Sequence, residues 1–197
     1  MKRSQRVEPA LLPDSSSRPT RAILIHGNGG GTAGDIWFPW LEHELSALGL
    51  EVINQTFPDN IRARAKIWLP FLDELGADDN TILIGHSSGA VAAMRYAETH
   101  RIAGSILVSV CHTDLGDADE RASGYYAAPW QWQRIRENQP WIAIYQSTDD
   151  PLIPVAEARF VASQLKCSYF EFEDRGHFVD QNDFPEVVRF LRTRIAR

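Results

Sequence analysis

The sequence predicts an α/β domain in which a six-stranded, mostly parallel sheet is covered by helices on both faces. Short β-branched and apolar segments alternate with segments of helical hydrophobic periodicity, without internal repeats. The chain has 197 residues, 44% of them hydrophobic, which is enough for one domain with a substantial core. Alternation of this kind favours parallel strands joined by helical crossovers.

Polar sequence precedes the first predicted strand. Residues 1–20 contain three prolines and a run of three serines, which predicts a flexible N-terminal leader and leaves residues 21–197 for the α/β domain. The predicted strands cover residues 22–26, 52–56, 81–84, 102–110, 141–146 and 167–172. The predicted helices cover residues 37–48, 61–75, 90–98, 155–165 and 184–195.

Two of these helices carry informative signals at their ends or in their interior. The helix over 61–75 has apolar residues at helical spacing from Ile61 onward, and Pro70 inside it predicts a kink or a break. The last helix is preceded by Asp183, a good N-cap residue, and has Pro185 at its first position.

Charge and composition exclude several classes of function. The formal charge of −6 gives no support for binding nucleic acid or an anionic membrane surface. No apolar segment reaches the roughly 18 residues that span a bilayer. The N-terminus lacks the apolar core of a signal peptide. Cys111 and Cys167 are too few for a disulfide framework or a cysteine metal cluster. We therefore expect a soluble cytoplasmic protein.

Residues 81–90 have the pattern of a strand, a sharp turn and a helix. A buried-strand segment is followed by Gly85-His86-Ser87-Ser88-Gly89, which reads G-x-S-x-G, and then by a helical segment. In a nucleophile elbow this arrangement exposes the serine on a strained turn, and the flanking glycines let strand and helix approach closely. We predict that Ser87 is a nucleophile. The alternative is a glycine-rich helix start that Ser87 merely caps.

Two further residues complete a predicted catalytic triad. Asp150 follows the fifth predicted strand and His177 follows the sixth, so right-handed crossovers bring both to the sheet edge that carries Ser87. Serine, aspartate, histidine is the chain order of α/β-hydrolases. Asp149 competes for the acid position, but Asp150 stands four residues before Pro154, as the hydrolase pattern requires. In such a triad the histidine takes the serine proton and the carboxylate orients the histidine.

The loop after the first strand, Gly27-Asn28-Gly29-Gly30-Gly31, exposes backbone N–H groups that can meet a negatively charged oxygen. We predict that the N–H groups of Asn28 and Ser88 form an oxyanion hole. Dinucleotide binding is disfavoured, because Thr32 stands where G-x-G-x-x-G requires its third glycine. A plain flexible turn is the alternative.

An excursion without clean periodicity, residues 111–138, follows the fourth strand. Insertions at the carboxyl ends of strands build pockets in α/β proteins. We predict that part of a substrate pocket is formed by His112, Tyr125, Trp130 and Trp132. An equally weighted alternative is a surface segment that its aromatic residues hold in place.

The acidic and histidine residues lack the spacing of a metal site. Asp114, Asp117, Asp119 and Glu120 do not have EF-hand spacing, and we expect them to form a solvated face. No pair of histidines has the H-E-x-x-H pattern or a comparable ligand spacing. The sequence therefore predicts no metal and no other cofactor.

Eight segments carry a family resemblance. They are residues 27–31 (GNGGG), 67–71 (IWLPF), 84–90 (IGHSSGA), 94–100 (MRYAETH), 121–125 (RASGY), 129–132 (PWQW), 147–151 (STDDP) and 176–178 (GHF). In this combination the chain, from about Arg21 to the C-terminus, resembles the retinoblastoma-binding protein 9 family of serine hydrolases and its bacterial members. The resemblance implies a compact α/β-hydrolase with a triad of Ser87, Asp150 and His177. It also implies hydrolysis of small esters and amides, including amino-acid derivatives.

One departure from the family pattern concerns a partner. The retinoblastoma-binding motif L-x-C-x-E is replaced here by Leu75-Gly76-Ala77-Asp78-Asp79. Binding of the retinoblastoma protein is therefore not expected.

Together these features predict a serine hydrolase that cleaves small ester or amide substrates through an acyl-enzyme, with no nucleic-acid or membrane partner. An alternative from another class is an interaction protein on a hydrolase scaffold with little turnover. A short-chain lipid esterase or thioesterase is a third interpretation and differs in the pocket alone.

Overall fold

Six parallel strands form the sheet of this computed structural model, which describes residues 19–195. The predicted leader therefore lies almost entirely outside the described residues. Each strand is found within two residues of its predicted bounds. The strands are β1 (Arg21–Ile25), β2 (Glu51–Asn54), β3 (Thr81–His86), β4 (Gly104–Val108), β5 (Ile142–Ser147) and β6 (Ser168–Phe172).

The strand order is β2-β1-β3-β4-β5-β6. The chain therefore leaves β1 toward one edge of the sheet and returns to build β3 on its other side, where Ile25 is paired with Gly85. A crevice opens beyond the carboxyl ends of strands at such a reversal of direction, and α/β proteins bind ligands there. In this chain the glycine loop and Ser87 both lie at that point.

Helices cover both faces of the sheet, as the sequence predicts. The helices of the described chain are α1 (Phe38–Ala47), α2 (Ala65–Glu74), α3 (Ser88–Ala97), α4 (Ala118–Ser123), α5 (Trp132–Glu137), α6 (Val155–Leu165) and α7 (Pro185–Ile195). Helices α2, α3, α5 and α6 pack in one hydrophobic cluster, and α1 and α7 pack in the cluster on the opposite face. Within residues 19–195, no helix is both long and apolar enough to cross a lipid bilayer.

Helix α2 begins four residues later than the sequence predicts. Asp59 and Ala63 have positive φ, so a turn replaces the first predicted helical turn. The Asp59 carboxylate accepts hydrogen bonds from both the backbone and the side chain of Arg64 and stabilises this turn. Ile61 is 70% exposed and does not belong to the apolar face of the helix. Pro70 lies inside α2, which continues to Glu74, so the helix does not break there, and a kink at Pro70 stays a prediction.

The excursion over residues 111–138 contains two short helices, α4 and α5, that the sequence does not predict. The buried Arg95 of α3 attaches the excursion to the domain. Its guanidinium donates to the carbonyl oxygens of Tyr125 and Ala128 and lies 3.6 Å from the ring centroid of Trp130. A tertiary contact of this kind leaves no periodic signal in the sequence.

Candidate active site

Ser87 lies on a strained turn between β3 and α3. Its backbone has φ 55° and ψ −120°, a conformation that costs a non-glycine residue about 1–3 kcal/mol. Gly85 and Gly89 make the turn sterically possible. A Cβ on Gly85 would clash with the carbonyl of Gly89, and a Cβ on Gly89 would clash with the carbonyl of Ile25. Packing of α3 against β1 and β3 therefore holds Ser87 at the sheet edge.

His177 is buried and hydrogen-bonded to Asp150. Its Nδ1 lies 3.0 Å from Oδ1 and 2.9 Å from Oδ2 of the carboxylate. Since an ionised carboxylate only accepts hydrogen bonds, the proton of the neutral imidazole lies on Nδ1, which leaves Nε2 free to accept another. In the described chain no hydrogen bond joins the Ser87 hydroxyl to the His177 ring, although both residues line one cavity.

The Asp150 carboxylate receives several further hydrogen bonds. Backbone N–H groups of Leu152 and Ile153 donate to Oδ1, and the side chains of Ser109 and Gln146 donate to Oδ2. Burial opposes ionisation, but the hydrogen bonds from His177 and these N–H groups hold the pKa of Asp150 below its usual range. The carboxylate therefore stays charged beside His177.

Sequence reasoning missed Ser109 and Gln146. Each is a buried polar residue at or just after the carboxyl end of a strand, and this position is the weak signal from which they could have been identified.

The neighbouring Asp149 has a different set of partners. It accepts hydrogen bonds from Ser147 Oγ at 2.5 Å and from the Gly176 backbone N–H at 2.9 Å. These bonds join the loop after β5 to the loop after β6. The histidine ring is thus bonded to Asp150, and Asp149 braces the two loops.

The loop that carries His177 is also held by hydrogen bonds from the last residue of β3 and from the residue before α1. His86 Nε2 donates to the carbonyl of His177 at 2.8 Å, and Trp37 Nε1 donates to the carbonyl of Phe178 at 3.1 Å. Complete burial and the nearby His177 ring lower the pKa of His86 to about 3, so its imidazole is neutral. His86, the variable residue of the G-x-S-x-G motif, therefore acts as an anchor for the histidine loop.

A cavity of about 320 Å³ holds Ser87 and His177 together. The glycine loop forms one wall, and apolar side chains including Ile36, Leu152 and Val179 form much of the remainder. A volume near the lower end of the range for ligand sites suits a small substrate.

The two predicted oxyanion donors lie next to this cavity or within its wall. Asn28 lines the cavity, and Ser88 is the residue that follows Ser87 at the start of α3. Neither backbone N–H donates to another group in the described chain, so both remain available to an incoming oxygen.

His26 fixes the start of the glycine loop. Its Nδ1 donates to the Gly27 carbonyl at 2.7 Å, and its Nε2 accepts from the Phe57 backbone N–H at 2.8 Å. Both bonds require the neutral ring, and burial lowers the pKa of His26.

The described residues that line the cavity do not include His112, Tyr125, Trp130 or Trp132. His112 pairs with Glu157 and stacks on Phe160. Trp130 donates to the His112 carbonyl and stacks on Trp132. Tyr125 is buried in the core. These contacts hold the excursion together, and contact of the four residues with a ligand stays a prediction.

Comparison with known proteins assigns the family. The sequence profile of the family described as Serine hydrolase matches residues 22–192. This chain belongs to the serine hydrolase family. It is 47% identical over 181 residues to Serine hydrolase RBBP9 of Rattus norvegicus, across 90% of this chain and 97% of that protein. The resemblance to the retinoblastoma-binding protein 9 family is thereby confirmed.

A bacterial relative of this serine hydrolase agrees with it in sequence and in structure. YdeN of Bacillus subtilis is 29% identical over 176 residues, across 85% of this chain and 90% of YdeN. The crystal structure of the B. subtilis ydeN gene product has a TM-score of 0.82 at 26% identity and covers 90% of this chain and all (100%) of that chain. The α/β-hydrolase fold is confirmed.

A more distant structure agrees in fold alone. Est1E of Butyrivibrio proteoclasticus, with ferulic acid bound, has a TM-score of 0.73 at 16% identity across 90% of each chain.

Proposed function

We propose that this serine hydrolase cleaves small esters or amides through an acyl-enzyme formed on Ser87. The observation that carries the proposal is one arrangement of residues. A serine on a strained strand-to-helix turn shares a cavity with a histidine whose other ring nitrogen is bonded to a buried carboxylate. The same three roles recur around serine nucleophiles on unrelated folds.

In the proposed acylation step, Ser87 Oγ attacks the substrate carbonyl carbon and its proton passes to His177 Nε2. The carbonyl oxygen becomes an oxyanion that accepts hydrogen bonds from the backbone N–H groups of Asn28 and Ser88. As the tetrahedral intermediate collapses, the leaving group departs with the proton from His177. Asp150 keeps the imidazole in the required tautomer and stabilises the imidazolium.

Deacylation repeats the sequence with water. His177 takes a proton from the water molecule, the resulting hydroxide attacks the acyl carbon, and Ser87 leaves with the proton returned by His177. The carboxylic acid is released and the free enzyme is restored. The small cavity with apolar walls supports a short acyl group or a compact leaving group.

Covalent labelling of Ser87 tests this proposal. We expect a fluorophosphonate probe to label the wild-type chain at Ser87 and to leave Ser87→Ala unlabelled. Ser46→Ala, which removes an exposed hydroxyl near the end of α1, is the matched control and is expected to label normally. Turnover of p-nitrophenyl esters should follow the same pattern. A folded wild-type chain that neither labels nor hydrolyses these esters, like its Ser87→Ala variant, contradicts the proposal.

A substrate panel then separates the finer alternatives. Aminoacyl and short acyl esters and amides should turn over faster than long-chain esters, since the cavity is small. Preference for long acyl chains would indicate the lipid esterase or thioesterase alternative.

A further inference from the structure

Glu120 and Asn28 join two parts of the chain that are far apart in sequence. The Asn28 side-chain Nδ2 donates to Glu120 Oε1 at 2.6 Å, across 92 residues of chain. Asn28 belongs to the glycine loop beside Ser87, whereas Glu120 lies in α4 of the excursion. The sequence places Glu120 on a solvated face with its acidic neighbours. That expectation is wrong for this residue, because its side chain is half-buried against the loop.

The glycine loop offers few other points of attachment. Among residues 27–31, Asn28 alone has a side chain beyond hydrogen. Gly29 and Gly30 have positive φ, and their N–H groups bond to the carbonyl oxygens of Ile61 and Asn60. Those bonds fix the loop after Asn28. The Asn28 side chain is therefore the group through which another element can fix the position of Asn28.

The backbone of Glu120 is itself fixed, so its carboxylate can accept the hydrogen bond from Asn28 in a defined position. The Asp117 carboxylate accepts from the backbone N–H groups of Asp119 and Glu120 and caps α4. Ser123 Oγ donates to the Glu120 carbonyl at 2.6 Å. These short-range bonds fix the backbone of Glu120, so its side chain presents a defined acceptor to Asn28.

We propose that Glu120 is a positioning residue for the oxyanion hole: by accepting a hydrogen bond from the Asn28 side chain, it fixes the peptide whose N–H meets the developing oxyanion. This inference rests on the proposed function of Ser87. The catalytic benefit of a preorganised donor depends on its direction, and a misplacement of about 1 Å costs on the order of 100-fold in rate. Glu120 positions Asn28 through the hydrogen bond and not through its negative charge, because a negative charge near the oxyanion hole destabilises the developing oxyanion.

Kinetics of three variants test the inference with p-nitrophenyl acetate as substrate. Glu120→Ala removes the acceptor and should lower kcat by about 10- to 100-fold with KM changed by less than about threefold. Glu120→Gln keeps an acceptor oxygen without the charge and should stay within about threefold of wild type. Asp119→Ala removes an exposed carboxylate from the same helix and should have no effect. A Glu120→Gln variant as slow as Glu120→Ala overturns the inference, as does a Glu120→Ala variant with wild-type kcat.

A double-mutant cycle with Asn28→Ala isolates the bond. Glu120→Ala should add nothing in the Asn28→Ala background, whereas multiplicative effects would show that Glu120 acts by another route. Thermal unfolding of each variant separates loss of folding from loss of positioning. If the wild-type chain lacks turnover, the proposed function fails, and the NMR signal of the Asn28 backbone amide decides this inference by itself. A shifted or broadened Asn28 amide signal in Glu120→Ala, with an unchanged signal in Asp119→Ala, supports the positioning bond. Identical Asn28 amide signals in the two variants overturn it.

Discussion

The histidine loop, residues 175–178, and the glycine loop, residues 27–31, flank Ser87 along the sheet and are held in place by different means. The histidine loop follows β6, and its anchors are mostly backbone groups bonded to buried side chains, as in the bonds from His86 and Trp37. The glycine loop follows β1 on the other side of β3. It is held by the His26 ring, which donates to the Gly27 carbonyl, and by backbone and Asn60 side-chain hydrogen bonds to the turn before α2. One further bond comes from a carboxylate of the distant helix α4.

This difference suggests a division of labour between the two loops. In the proposed mechanism, the groups around His177 must keep one tautomer and one ring orientation throughout the reaction, and burial with many hydrogen bonds provides that. The glycine loop must approach the substrate with bare backbone, so side chains are excluded and support has to come from outside. We therefore expect the largest effect from substitution of the carboxylate bonded to His177, and smaller effects from substitution of the groups that support either Asp150 or Asn28.

The largest effect is expected at the carboxylate bonded to His177. Asp150→Asn can no longer accept the Nδ1 proton in the same way and favours the wrong tautomer, so kcat should fall by about 10⁴-fold. Asp149→Asn loses part of a brace between loops and should lower kcat by less than about tenfold. Steady-state hydrolysis of a p-nitrophenyl ester measures both. If Asp149→Asn is the more damaging substitution, the acid role belongs to Asp149.

The residues of the proposed triad could be identified as candidates because each has a local signature in the sequence. Ser87 stands between Gly85 and Gly89 after a β-branched segment, and Asp150 and His177 each follow an apolar strand. In a parallel sheet such positions come together at one edge whatever their separation along the chain. Local signatures also predicted all six strands and five of the seven helices of the described chain, the exceptions being α4 and α5.

The supporting contacts were not predictable in this way. Ser109 meets Asp150 because β4 and β5 are neighbours, and Glu120 meets Asn28 because Arg95 fixes the excursion at a particular place. Such contacts join residues with no common motif or period. The predicted start of α2 was wrong for a related reason, because the turn that replaces its first residues depends on hydrogen bonds between Asp59 and Arg64.

A smaller effect is expected where one donor to Asp150 is removed. Ser109→Ala deletes the hydroxyl that donates to Oδ2 at 2.9 Å, and hydrogen bonds to charged groups contribute about 1.5–3 kcal/mol. We expect a roughly 10- to 100-fold lower kcat with little change in KM. Ser105→Ala is the matched control, because Ser105 lies in β4, the strand directly before Ser109, and its buried hydroxyl has no hydrogen-bond partner among residues 19–195. Equal kcat values for the two variants would show that this bond does not support the acid.

The smallest expected effect is a change in the pH dependence of the unfolding free energy, and it concerns the two buried histidines that anchor the loops. The pKa values of His26 and His86 are lowered by burial, that of His86 to about 3 from 6.5. Between about pH 3 and pH 6.5, His86 binds a proton in the unfolded chain that it does not bind in the folded chain. Stability contributed by each neutral ring is therefore complete above about pH 6.5 and falls as pH is lowered. The loss approaches about 1.4 kcal/mol per pH unit for one histidine.

Urea unfolding between about pH 5 and pH 7 measures this slope in a range above the ordinary carboxyl pKa values of about 4. Glutamine at position 86 retains an N–H donor for the His177 carbonyl but does not titrate. His86→Gln should therefore reduce the fall in unfolding free energy toward low pH. His26→Gln, which removes the buried histidine at the glycine loop, should reduce it as well. His43→Gln replaces an exposed histidine on α1 and should leave the slope unchanged. A slope in His86→Gln equal to that of wild type would mean that the ring near His177 is not kept neutral by folding. In that case the histidine loop would depend on Trp37 and the Asp149 brace for its position.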